Sequence, residues 1–165
     1  MSEETEEFIV EEEDTQKGKY MTFISGDEVY GIAINYVSEI VGLTKITEVP
    51  ETVDYIKGLI NLRGKIIPVI DVRLRFKKDP VPYNDRTCVI VIMVEQITVG
   101  LIVDTIAEVC TIDDADIVPP PSVVNNSGAA RFVYGIGKIG DDVKLLINPA
   151  NLISEEDQET LKTMA

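Results

Sequence analysis

The chain contains no histidine, only two cysteines, and 15 basic residues against 29 acidic ones. Each shortage excludes a class of function. Without imidazole there is no histidine general base, no Ser-His or Cys-His nucleophile pair, and almost no ordinary zinc or copper site. Cys88 and Cys110 are too few for a disulfide framework and lack C-x-x-C spacing, so they read as small buried thiols in a reducing compartment. A net charge of −14 would repel both nucleic acid and anionic membrane. The longest apolar run, Val89 to Val94, is far short of the roughly 20 residues that span a bilayer. The acidic N-terminus does not look like a signal peptide. These features lead us to expect a soluble, cytoplasmic protein with no nucleic-acid partner, no direct membrane insertion, no metal and no cofactor.

What is present suffices for one ordinary domain or two very small ones, with 45% of the 165 residues hydrophobic. Eight acids precede the first base, Lys17, and removing them from the 29 leaves 21 acids against 15 bases. Residues 1–17 therefore read as a solvated, disordered acidic tail. From Lys19 the pattern becomes short apolar segments of period two broken by Gly, Asp, Asn and Pro. Tyr20 to Ile24, the turn Ser25-Gly26-Asp27-Glu28 and Val29 to Ile34 read as a hairpin with Tyr30, Ile32 and Ile34 on one face. Glu51 to Lys57 reads as a helical turn or two closed by Gly58. Lys65 to Ile70 and Val72 to Phe76 continue the strand signal, with Arg73, Arg75 and Lys77 on a wet face. Ser154 before Glu155, Glu156 and Asp157 is an N-cap with acids in the first turn, which predicts a short helix over 154–165.

An internal repeat organises the rest. Displaced by 69 positions, Gly31 meets Gly100, Glu39 meets Glu108, and Ile32, Ile34, Val37, Ile40 and Leu43 meet Leu101, Val103, Ile106, Val109 and Ile112. Displaced by 77, Gly58 meets Gly135 and Val69-Ile70-Asp71 meets Leu146-Ile147-Asn148. The additional residues fall in the Pro-, Asn-, Ser- and Gly-rich loop Pro120 to Ala130. The expected fold is all-β: two pseudo-symmetric barrels of about five strands each, on a shared apolar seam, within a domain over 18–153. The first repeat covers about 19–80 and the second about 86–153.

Two-lobed β duplications include proteases, and their requirements can be checked. The chymotrypsin-like arrangement needs a histidine, and the aspartic-protease dyad needs a carboxylate from each lobe. Asp104-Thr105 aligns with Asn35-Tyr36, so the second carboxylate is missing. Asp113, Asp114 and Asp116 lack the oxygen-rich spacing of an EF-hand and read as a solvated turn, and no Gly-rich phosphate loop occurs. A hydrolase or small-molecule binder using the inter-lobe cleft is the alternative reading. Surface remains. Seven bases, Lys57, Arg63, Lys65, Arg73, Arg75, Lys77 and Lys78, fall within 22 residues beside one acid, Asp71. They form either a plain solvated strand face or a docking face for an acidic partner.

The run Gly58-Leu59-Ile60-Asn61-Leu62-Arg63-Gly64-Lys65-Ile66-Ile67-Pro68-Val69-Ile70-Asp71 closely resembles the signature of the bacterial chemotaxis coupling family CheW. Tyr30-Gly31-Ile32, Val37-Ser38-Glu39-Ile40 and Val103-Asp104-Thr105-Ile106-Ala107-Glu108-Val109 resemble that family too, so the likeness runs from Lys19 to Ile153. It implies a non-enzymatic scaffold of two SH3-like barrels in a two-component system. Such a scaffold would couple the cytoplasmic tip of chemoreceptors to the regulatory domain of the histidine kinase CheA and be recruited to membrane-associated receptor arrays. Asn148 stands where the family commonly carries Asp. Neither that nor the acidic tail touches Arg63.

The residues themselves also suggest a binding module. Arg63, between Gly58 and Gly64, sits where the chain turns and can make forked hydrogen bonds, either internally to Glu39 or outward to a partner. Val37 and Ile40, with their repeats Ile106 and Val109, suit an apolar groove at the seam that would take a helical hairpin tip, or else ordinary inter-lobe core. The candidate receptor-binding set is thus Val37, Glu39, Ile40, Asn61, Arg63, Ile106 and Val109. No residue set is assigned to the kinase.

Overall fold

A two-residue turn joins β1 (Lys19–Ser25) to β2 (Glu28–Ala33), the hairpin expected from the alternation. A 3₁₀ turn over Ile34–Tyr36 then leads into β3 (Val37–Gly42). The first repeat continues with β4 (Ile56–Leu62), β5 (Lys65–Asp71) and the four-residue helix α1 (Val72–Arg75). The second supplies β6 (Cys88–Val94), β7 (Ile97–Val103), β8 (Thr105–Thr111), the short β9 (Ile117–Val118), β10 (Val133–Ile139) and β11 (Asp142–Ile147). Helix α2 (Glu155–Met164) ends the chain. The computed structural model describes residues 17–50, 52–120 and 132–164. The expected acidic tail and the Pro120 to Ala130 loop therefore lie outside the described residues, apart from Lys17 and Pro120.

The strands form two sheets, one ordered β8-β1-β2-β11-β10-β9 and the other β3-β6-β7-β5-β4. Each repeat lends its first hairpin to the other repeat's sheet. The knitting contacts are parallel pairings of β2 with β11 and of β5 with β7, which set Gly31 against Leu146 and Gly100 against Val69. These contacts are equivalent under the repeat. A Cβ on Gly31 would lie 2.9 Å from Leu146 Cδ2, and one on Gly100 would lie 2.9 Å from Val69 Cγ1 and 2.6 Å from Val89 Cγ1. At both sites the facing side chains reach into the space a methyl would take, most tightly at Gly100.

Alternation in these strands sends residues to two kinds of core. Phe23, Tyr30, Ile32, Ile70, Ile90, Ile92, Val99 and Leu101 are fully buried in the main cluster, which draws on both sheets and forms the apolar seam. The opposite faces fill the two barrels. One holds Ile60, Ile67, Val69, Val89, Val91 and Ile102, and the other Tyr20, Ile112 and Leu146. Phe23, Tyr30, Phe76 and Phe132 form a chain of rings within the seam, with centroids 5.7, 4.9 and 5.5 Å apart. Helix α2 docks there through buried Leu161. Its N-terminus is held by Ser154 and Asp157, each side chain accepting the other's backbone N–H, at 3.1 and 3.2 Å.

Three local expectations are corrected. No helix forms over 52–57. Gly58 sits at a register shift within β4 with φ +144°, where a Cβ would lie 2.1 Å from Thr47 O, so this glycine marks a close backbone approach. Val72–Arg75 is helical because the Asp71 carboxylate caps Leu74 N at 3.3 Å. Asn148 caps the equivalent 3₁₀ turn by accepting from Ala150 N at 3.0 Å; capping needs an acceptor and not a charge, so the departure from Asp is harmless here. The thiols are half-buried and free, and burial raises the Cys110 pKa.

Candidate protein-interaction site

The β4–β5 connection is a two-residue hairpin in which both central residues, Arg63 and Gly64, have left-handed φ of +54° and +86°. This is the backbone of a type I′ turn. Asn61 secures it by accepting Gly64 N on Oδ1 at 2.8 Å. A non-glycine residue is thereby held in a conformation costing roughly 1 kcal/mol per residue, and its side chain projects from the tip.

The Arg63 guanidinium reaches Glu39 on β3, at the far edge of the same sheet, with Nη2 lying 2.8 and 2.6 Å from the two carboxylate oxygens. Such a pair forms only because the sheet curls until its edges face each other. Beneath it lies a shallow hollow of about 280 Å³ lined by Leu62, Ile67, Val91 and Met93 among others. The pair clasps the barrel mouth, yet the Arg63 side chain is 68% exposed and its Nε and Nη1 have no partner among the described residues. Hydrogen bonding and charge from Glu39 raise the arginine's pKa further. An exposed pair of this kind stabilises a fold little. Two of the planar fork's donor nitrogens remain for a second acceptor.

Of the other candidates, Val37 and Ile106 pack partly against the seam, while Ile40 and Val109 stand out at 37% and 48% exposure. Val37 and Ile40 lie on β3 and Ile106 and Val109 on β8, the edge strands of different sheets. Asn61 is exposed and acts within the turn.

Besides Arg63, three of the seven bases, Arg73, Arg75 and Lys78, are engaged internally. Arg73 pairs with Asp104 through Nε at 2.9 and 3.0 Å and Nη2 at 2.9 Å, and Asp104 also accepts Gly26 N at 2.9 Å. Arg75, expected on the wet face, is buried. Its Nε donates to Leu152 O at 2.7 Å and its guanidinium lies over the Tyr55 and Phe132 rings at 4.6 and 4.7 Å. Lys78 donates to Ser25 O and the Tyr30 hydroxyl at 3.0 and 3.1 Å. A larger cavity of about 480 Å³ under the inter-repeat linker is lined by Asp71, Arg73, Tyr83 and Asp104 among others. Its polar groups serve one another: Tyr83 donates to Asp71 at 2.7 Å, and burial together with that carboxylate raises the Tyr83 pKa.

The molecule is thus a double-barrel scaffold whose distinctive surface feature is a half-committed arginine at a hairpin tip. The model of the CheW-like domain matches residues 19–157. A chemotaxis protein CheW from Klebsiella aerogenes is 35% identical over 147 residues, covering 89% of this chain and 88% of the relative. One from Helicobacter pylori is 31% identical over 146 residues, covering 88% and 87%. The crystal structure of the scaffolding protein TtCheW from Thermoanaerobacter tengcongensis superposes with a TM-score of 0.76 at 38% identity, covering 85% of this chain and 94% of that one. The chain belongs to the CheW family, and it is a non-enzymatic chemotaxis adaptor.

Proposed function

We propose that this adaptor couples the cytoplasmic tip of chemoreceptors to the regulatory domain of the histidine kinase CheA, and that the Arg63–Glu39 clasp lies on the receptor-facing surface. One observation carries the assignment of the site: Arg63 is pinned by Glu39 through a single nitrogen while the rest of its fork faces solvent. A pinned, exposed arginine loses less freedom on binding than a loose one, which favours a directed contact to carboxylates or helix-end carbonyls. Ile40 and Val109 supply exposed apolar area on the two edge strands. No helix among the described residues is long and apolar enough to cross a membrane, so the chain would join receptor arrays by binding protein.

Arg63→His tests the site. Receptor-fragment binding should fall on the order of thirtyfold, as for an interface arginine anchor, with kinase binding and the thermal midpoint nearly unchanged. Arg63→Lys keeps the charge without the fork and should restore binding only in part. Unchanged receptor binding with a large fall in the midpoint would make Arg63 a structural residue.

A further inference from the structure

Asp71 carries a charge that its structural duty does not need. Its Oδ1 caps α1 by accepting Leu74 N at 3.3 Å, and under the repeat Asn148 performs the same duty for its 3₁₀ turn with a neutral amide. A capping acceptor is thus available with or without a negative charge. Asp71 is 5% exposed, and the ion pairs among the described residues do not include it. Its other oxygen accepts the Tyr83 hydroxyl at 2.7 Å. Arg73 is near enough to feel this carboxylate, yet its nitrogens are committed, Nε and Nη2 to Asp104 and Nη1 to Asp79 O at 3.2 Å. A buried carboxylate held by hydrogen bonds alone is costly, and a cation beside it relieves the cost.

Asp71 also lines the cavity under the inter-repeat linker, whose volume of about 480 Å³ falls within the roughly 300–1,000 Å³ of small-molecule sites. The charged residues of its wall are Asp71, Asp104 and Arg73, two negative charges against one positive. Val81, Pro82, Ile102 and Val103 supply apolar wall, and Tyr83 adds an aromatic ring tied through its hydroxyl to the carboxylate. A carboxylate next to an aromatic ring matches an ammonium, which the first attracts by charge and the second through its π face. The linker is braced over the cavity as a turn: Asn84 N donates to Thr87 Oγ1 at 2.9 Å, and Thr87 N donates to Asn84 O at 3.1 Å. The walls are therefore set before a ligand arrives, which lowers the cost of binding. A metal ion is a poor match for these donors, since no group of three His, Cys, Asp or Glu side chains that could hold one occurs among the described residues.

We propose that this cavity binds a small organic cation, a primary ammonium on an apolar body, with Asp71 as its anchor and the Tyr83 ring as its platform. The site lies at the opposite end of β5 from the Arg63 turn, so it is separate from the clasp. A bound ligand would touch both repeats, because Asp71 ends β5 of the first and Val103 ends β7 of the second.

The probes are phenethylammonium and its neutral counterpart phenethyl alcohol, titrated into the full chain and followed by amide and methyl NMR shifts. Wild type should bind the ammonium at least about tenfold more tightly than the alcohol, with shifts centred on residues 79–87 and the ends of β5 and β7. Asp71→Asn keeps the capping acceptor and removes the charge, so the chain should stay folded while the preference shrinks to about twofold or less. Equal affinity of wild type for the two probes, or shifts centred elsewhere, would overturn the proposal. So would a preference that survives Asp71→Asn, or a large fall in that variant's thermal midpoint, which would show that the fold itself needs the charge. An acetylated tripeptide carrying one lysine distinguishes the other source of an ammonium. If it binds with the same dependence on Asp71 while the free amine does not, the site belongs to a partner's side chain and the small-molecule assignment fails.

Discussion

Gly100→Ala should destabilise the fold more than Gly31→Ala, although the two glycines are equivalent under the repeat. At Gly100 the added methyl would lie 2.6 Å from Val89 Cγ1 and 2.9 Å from Val69 Cγ1, and both valines are fully buried. Contacts below 3.0 Å force movement, and β-branched side chains have one dominant χ1 well, so relief requires backbone shift or an off-rotamer valine. Overpacking of this kind costs roughly 1–3 kcal/mol, and replacing a strand glycine by alanine regains roughly 0.5–1 kcal/mol. The net loss then lies between about 0 and 2.5 kcal/mol, and two close contacts with fully buried valines put it in the upper half of that range. At Gly31 the methyl meets one close atom, Leu146 Cδ2 at 2.9 Å, with Tyr20 Cβ and Thr22 Cγ2 at ordinary distances of 3.7 and 3.8 Å. A leucine can turn about two angles, so the net change should be within about 1 kcal/mol of zero. Urea unfolding monitored by circular dichroism measures both, provided the denaturant slope is unchanged. Trimming the clash with Val89→Ala should recover part of the Gly100→Ala loss. Equal losses, or a larger loss at Gly31, would mean that the parallel pairings of β2 with β11 and β5 with β7 are not packed as described.

Other outcomes follow from single features. Lys77 occupies the left-handed position after α1, at φ +60°, with Lys78 N bonded to Arg73 O at 2.8 Å. Lys77→Gly should therefore raise stability by up to about 1 kcal/mol in the same urea assay. Deleting residues 1–16 should leave the thermal midpoint almost unchanged, because so charged a segment offers little apolar burial against its ordering entropy. A loss of several degrees would show that Phe8 to Val10 packs on the folded part. Burial and the bond to Asp157 push Tyr55 up to about 12 from 10. A raised folded pKa gives a contribution present in full below pH 10 and lost as pH rises through 12. Tyr55→Phe should make the decline in stability across that window shallower; an unchanged decline would sever the link to Tyr55.

The duplication was legible because alternation, turn residues and glycines recur at fixed displacement. The apolar seam followed from the small size of each half. Exchange of hairpins between sheets was not legible, because both a swapped and an unswapped arrangement bury the same alternate residues. The pairings of Gly31 with Leu146 and Gly100 with Val69 are contacts between repeats, and periodicity within a segment carries no information about them. Val72–Arg75 misled for a related reason: four residues are too few to separate period two from a single helical turn, so only the Asp71 cap distinguishes them. At the clasp, Arg63 and Glu39 were readable as candidates, but their reach across a curled sheet was not.

The adaptor's central role is tested most directly by reconstitution. Receptor cytoplasmic fragment and CheA regulatory domain are each offered to the immobilised full-length chain, singly and together, and the retained protein is quantified. Coupling through two separate surfaces predicts that each partner is retained alone and that both are retained at once, neither displacing the other. Competition between them, or retention of neither, would contradict it.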